Sequence, residues 1–128
     1  MATTYMRAAG GVIEASEVIG CKVENPMGED LGKIEGLVVD LTEGRILYAV
    51  LSFGGFLGMG DKLYPIPLAA FSFRMDKGDQ LDRCILNMDE ETLKNAPSYE
   101  RNRLPRTSDR SFITRIYSHY GYTPYWSE

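Results

Sequence analysis

Histidine is almost missing from this 128-residue sequence, with His119 the single copy, and cysteine is scarce, with Cys21 and Cys84 lying 63 positions apart. A zinc site needs several His or Cys ligands at short spacings, so without a CxxC or a Cys/His cluster no metal is implied. A Ser/His/Asp triad would have to be built around His119 from residues that the sequence gives no reason to assemble, so this histidine reads as a packing or solvent-facing side chain at a helix end. The cysteines sit in strand-like surroundings, where a free thiol serves as a small buried hydrophobe; a disulfide is the alternative. Long hydrophobic runs are missing too. The longest uncharged run, fifteen residues from Ile46 to Gly60, is broken by glycines, short of the roughly 20 apolar residues that span a bilayer. The opening MATTYMRAAGGVIEAS has one arginine and no apolar core of signal-peptide length, so a cytoplasmic protein without membrane insertion is expected.

What is present suits one globular domain. Hydrophobic residues make up 44% and charged residues 25%, which argues against global disorder. The formal charge of −4 disfavours a general nucleic-acid binder, whose affinity comes from basic surfaces. That charge is unevenly placed. Residues 1–97 hold 9 basic and 15 acidic side chains, whereas residues 98–128 hold 5 arginines against 3 acids. The tail also carries seven of the fourteen aromatic residues. Its arginines and tyrosines could stack on single-stranded nucleic acid, but attraction to the acidic body makes packing on that body the better reading.

From Val18 onward, short apolar runs alternate with turn residues, the punctuation of antiparallel β-structure. VIGCKV precedes a turn at Asn25, Pro26 and Gly28. In LGKIEGLVVDL, the first half alternates apolar with charged residues, while Leu37 to Leu41 reads as more fully buried. Thr42, Glu43 and Gly44 make a hairpin into RILYAVLSF, the most apolar strand and therefore central. Pro65 and Pro67 confine KLYPIPL to an edge or a bend. FSFRM and LDRCILNM form a further hairpin, followed by a short helix capped by Asp89 and ended before Pro97. In the tail, Ser108 or Asp109 can cap a helix whose Phe112, Ile113, Ile116, Tyr117 and Tyr120 share one face before Gly121 ends it. The fold class is mainly β: a small antiparallel barrel, a short helix after the last strand and a C-terminal amphipathic helix. The expected organisation is a loosely held segment at 1–11, a barrel at 12–97 and an extension at 98–128 whose helix packs on a barrel.

The glycine-rich stretch Gly54 to Gly60 comes close to a phosphate-binding loop and misses. Asp61 stands where the nucleotide-binding lysine belongs, and Lys62 arrives one residue late. No helix follows whose N-terminus could hold an anion. The glycines instead let an apolar strand bend into the next one. Phe56, Leu57 and Met59 in this loop either fold over the barrel mouth or face a partner. Asp76, Asp79 and Asp82 lack calcium-loop spacing and read as turn carboxylates, and Asp89, Glu90 and Glu91 offset a helix dipole.

GEDLGKIEGLVVDLTEGRILYAVLSFGGFLGMGDKLYPIPLAAF, with Gly32, Gly36, Asp40 and Gly44 in order, closely resembles the PRC-barrel family. That small barrel is shared by the cytoplasmic domain of a photosynthetic reaction-centre subunit and the C-terminal domain of a ribosome maturation factor. Asn95 to Pro97, Leu104-Pro105 and the aromatic ending resemble stand-alone bacterial members. The resemblance implies a binding or assembly platform, with no catalytic residue and no cofactor to carry over. The expected protein is a non-enzymatic interaction module, expected to be a homodimer and to bind a further protein partner through Phe56, Leu57, Met59, Phe112, Ile116, Tyr117, Tyr120, Tyr125 and Trp126. Two alternatives stand beside it: small-molecule binding or catalysis at a pocket between barrel and tail lined by Tyr117, Tyr120 and carboxylates, and RNA or ribosome association, suggested by the maturation-factor resemblance alone.

Overall fold

A computed structural model describes residues 4–6, 11–53, 62–100 and 110–127. Eight strands form one sheet: β1 (Thr4–Met6), β2 (Lys22–Glu24), β3 (Asp30–Asp40), β4 (Arg45–Phe53), β5 (Lys62–Ile66), β6 (Phe71–Met75), β7 (Leu81–Leu86) and β8 (Tyr99–Glu100). Their order across the sheet is β1-β6-β7-β2-β3-β4-β5-β8. Three α-helices accompany them: α1 (Ala15–Val18), α2 (Glu90–Lys94) and α3 (Arg110–His119). Short 3-10 turns cover Leu68–Ala70 and Tyr125–Ser127.

The hairpins fall where the turn residues put them. Asp40 Oδ1 accepts from the backbone N–H groups of Thr42 and Glu43, and the Gly44 N–H donates to the Asp40 carbonyl, closing the β3–β4 turn. Gly44 completes it with a left-handed φ of 66°. Asp76 Oδ1 caps the β6–β7 turn by accepting from the Gly78 and Gln80 N–H groups, and Asp89 caps α2 by accepting from Thr92. Pro65 lies beyond the two β5 residues, Lys62 and Leu63, that pair with β8, on a stretch paired with β4 alone, the edge placement that proline tolerates.

Three expectations need correction. VIGCKV does not form one strand: Val18 ends α1 and the strand begins at Lys22, because Gly20 takes a left-handed φ of 92° and turns the chain between them. The sheet is antiparallel except at one seam, where β2 and β7 run parallel. Leu37 to Leu41 is not a fully buried run: Leu37 and Val38 are half-buried and Asp40 is buried, but Val39 is 49% exposed and Leu41, just past the strand, 90% exposed. Within residues 1–11, expected to be loosely held, Thr4–Met6 pairs antiparallel with β6.

The sheet rolls around a single core. Val23, Leu31, Ile34, Leu51, Tyr64, Ile66, Phe71, Cys84 and Leu86, drawn from six strands, pack in one buried cluster with Leu93 of α2, which a flat sheet of this order could not bring together. Irregular registers in the β3–β4 ladder, between Ile34 and Gly36 and between Val38 and Val39, supply local curvature. Among the described residues no ladder joins the edge strands β1 and β8. The Gly54 to Gly60 bend lies outside the described residues.

β4 is buried on both faces. Ala49 and Leu51 point into the central core, while Leu47, Tyr48 and Val50 form a second cluster with Leu63, Tyr99 and the Ile113, Ile116 and Tyr117 side chains of α3. Ile116 is 0% exposed, so α3 packs its apolar stripe on the outer face of its own sheet. At roughly 1.5–3 kcal/mol per fully buried aliphatic side chain, this second cluster is a substantial part of the stability.

Candidate functional site

The last turn of α3 and the residues after it are fastened to the β3–β4 hairpin by a polar and aromatic cluster. The Tyr117 hydroxyl donates to the Leu47 carbonyl at 2.6 Å. The Tyr125 hydroxyl donates to Asp40 Oδ2 at 2.6 Å, and Arg110 pairs with the same oxygen at 3.5 Å. The Arg45 guanidinium lies 4.0 Å from the Tyr125 ring centroid, and that of Arg110 lies 4.7 Å from the Trp126 ring. Tyr117 and Tyr125 both meet Trp126 edge to face, at 5.1 and 4.9 Å between centroids. The Tyr125 hydroxyl, then the turn N–H groups and Arg110, hold the Asp40 carboxyl below its ordinary value against the opposing effect of burial. Burial and the Asp40 carboxylate push Tyr125 up to about 12. Each group therefore holds the other in the protonation state that their hydrogen bond requires.

An apolar cleft of about 580 Å³ reaches the same β3–β4 hairpin through Leu37 and Ile46. The segment before and through α1 supplies Val12, Ile13 and Val18, while β3 supplies Leu37, β4 Ile46 and β6 Phe73 and Met75. Asp79, in a left-handed turn conformation with φ 61°, is the one charged side chain among the described lining residues. Exposed apolar side chains lie beside the cleft. Val39 shares Leu37's side of β3, opposite Val38 and Asp40, which face the tail, and is 49% exposed; Leu41, in the turn just past the strand, and Val12 of the cleft lining are each 90% exposed.

A family model for the PRC-barrel domain matches residues 10–82, more than half of the chain. The chain belongs to the PRC-barrel family. Comparison with curated proteins returns no significant match. The matched span takes in the cleft and β1's partner β6, but α3 and the aromatic cluster lie beyond it.

On this PRC barrel the sequence candidates divide into three groups. Phe56, Leu57 and Met59 lie outside the described residues. Ile116 and Tyr117 are buried, and Phe112, Tyr120, Tyr125 and Trp126 are half-buried against the same chain. Tyr117 and Tyr120, expected to line a pocket between barrel and tail, pack in and against the tail cluster, and neither lines the cleft. His119 is exposed and stacks edge to face on Tyr120. Sequence reasoning missed Asp40, Arg45 and Arg110 as the fastening of the tail, and it missed the cleft. The available signal was the Leu37, Val39, Leu41 alternation, which was read as burial. Among the described residues no three His, Cys, Asp or Glu side chains are grouped to hold a metal, and no helix is long and apolar enough to cross a membrane.

Proposed function

We propose that this PRC-barrel protein is a non-enzymatic interaction or assembly module whose contact surface is the apolar cleft together with Val39 and Leu41. One observation carries the reading: an apolar cleft of about 580 Å³ whose wall residue Leu37 is followed, two and four positions on, by side chains 49% and 90% exposed. Contiguous apolar surface of this kind draws a partner because burying it removes it from water. The stripe on α3 is occupied within the chain, which leaves the cleft side as the available face among the described residues. A second copy of the chain is the partner to test first, since two copies of one stripe are self-complementary across a two-fold axis.

Leu41→Asp changes a side chain with little packing and so separates association from folding. Light scattering at high micromolar concentration should give a dimer for the parent chain and a monomer for Leu41→Asp, with melting temperatures within a few degrees. A parent chain that stays monomeric, and that recovers the same proteins from a host lysate as Leu41→Asp does, removes the proposal. A second reading, a small apolar ligand in the same cleft, is favoured by a volume typical of small-molecule sites. Saturable binding of an apolar fluorescent probe that survives Leu41→Asp but is lost in Phe73→Asp would select it.

A further inference from the structure

The sheet is thin at its parallel seam. β2 and β7 share only the Val23/Cys84 and Glu24/Ile85 register pairs, yet they join the β1-β6-β7 half to the remaining five strands. Charge supports the join: Glu24 accepts from Arg74 at 3.4 Å and from Arg83 at 3.1 Å, and Asp82 pairs with both arginines. Cys21, one residue ahead of β2, and Cys84, in β7, meet across the same seam. Both are free thiols, Cys84 within the central core and Cys21 packed against it, two positions before the Val23 that pairs with Cys84; each acts on the other's ionisation, and the Cys21 thiol donates to the Lys22 carbonyl at 3.6 Å. Their access to solvent differs. Cys84 is 0% exposed, whereas Cys21 is half-buried.

We infer that Cys21 and Cys84 are a peroxide-responsive thiol pair, in which the accessible Cys21 attacks the oxidant and the buried Cys84 closes an intramolecular disulfide across the β2–β7 seam. The division of labour follows from their surroundings. The neighbouring Cys84, aided by Arg83 and opposed by burial and Asp82, lowers the pKa of Cys21. Cys21 and deep burial raise that of Cys84, which stays protonated. Thiolate character and access together set susceptibility to oxidation. The Cys21 sulfur attacks one oxygen of hydrogen peroxide, the O–O bond breaks, and the released hydroxide takes the proton that Cys21 gave up, leaving as water. Cys21 is then a sulfenic acid. The Cys84 sulfur attacks the Cys21 sulfur, the S–S bond forms, the S–O bond breaks, and a second water departs with the Cys84 proton. Two thiols have lost two electrons and two hydrogens, and one peroxide has become two waters. A cytosolic disulfide of this kind is transient and responsive, and a thiol reductant restores the pair.

The cross-link also fixes the segment that leads out of the cleft wall. The Cys21 N–H donates to the Val18 carbonyl, and the Gly20 N–H donates to the Ile34 carbonyl. The inference stands whatever occupies the cleft. Its test treats the reduced full chain with hydrogen peroxide and reads intact mass, non-reducing peptide maps and melting temperature. The expected product is a monomer lighter by two hydrogens, with Cys21 linked to Cys84 and a melting temperature raised by roughly 5–15 °C. In Cys84→Ser, which keeps a donor beside Cys21, dimedone should capture a sulfenic acid on Cys21 with no cross-link; in Cys21→Ser, Cys84 should stay reduced over the same period. Products that carry added oxygens without the cross-link, disulfide-linked dimers, or Cys84→Ser left unlabelled by dimedone would each overturn the assignment.

Discussion

Gly32 shows how much one residue can decide. Its φ is 104°, and a Cβ built there would overlap the carbonyl oxygen of Ser52 on the neighbouring strand. Strain and overlap combine, so Gly32→Ala should cost about 3 kcal/mol or more, measured as a shift in urea midpoint. Tyr120 makes the opposite case. Among the described residues its hydroxyl is the one buried side-chain polar atom without a hydrogen-bond partner, and burial raises its pKa. Tyr120→Phe should therefore be neutral or stabilise by up to about 1 kcal/mol, because it removes an unpaired polar group while keeping the ring. The same denaturation series checks both. The turn chemistry of Asp40, Gly44, Asp76 and Asp89 could be read from the sequence, since each acts on backbone groups within a few positions of itself. Gly32 could be placed only as part of a family pattern, because the strand that forbids a side chain there arrives twenty residues later.

At the scale of elements, α3 and the β3–β4 hairpin depend on each other. Ile116→Ala empties a fully buried site on the outer face of β4 and should cost about 2–4 kcal/mol, with α3 loosened first. The Asp40–Tyr125 hydrogen bond adds a dependence on pH at both ends. Asp40 has a lowered folded-state pKa, so its contribution is complete above the unfolded value of about 3.9 and disappears as pH falls through the folded value. Tyr125 is raised to about 12, so its contribution is complete below the unfolded value of about 10 and is lost as pH rises toward the folded one. Tyr125→Phe should then be less stable than the parent between roughly pH 5 and 9, with the difference shrinking toward both extremes; urea titrations across that range measure it. The helix itself was legible from the spacing of Ile113, Ile116 and Tyr117. Its landing place was not, because Leu47 and Tyr48 both reach the outer cluster at a register shift that no alternation pattern announces.

Across the whole molecule, strands β4 and β5 each supply side chains to both clusters, and cooperativity follows. Trp126, the single tryptophan, sits in the tail cluster, so its fluorescence reports that cluster while far-UV circular dichroism reports the sheet. The two thermal transitions should coincide; an earlier tryptophan transition would mean that the tail melts on its own. The barrel class was visible in the rhythm of strands and turns, whereas the parallel seam was hidden because β2 is only three residues long and its partner lies sixty positions away. The apolar cleft was equally hidden, being assembled from side chains on five separate segments. Strand β4 has hydrogen-bonded neighbours on both edges and buried side chains above and below. Its amides at Val50 and Leu51 should consequently be the last in the chain to trade hydrogen for deuterium, surrendering only when the entire molecule opens.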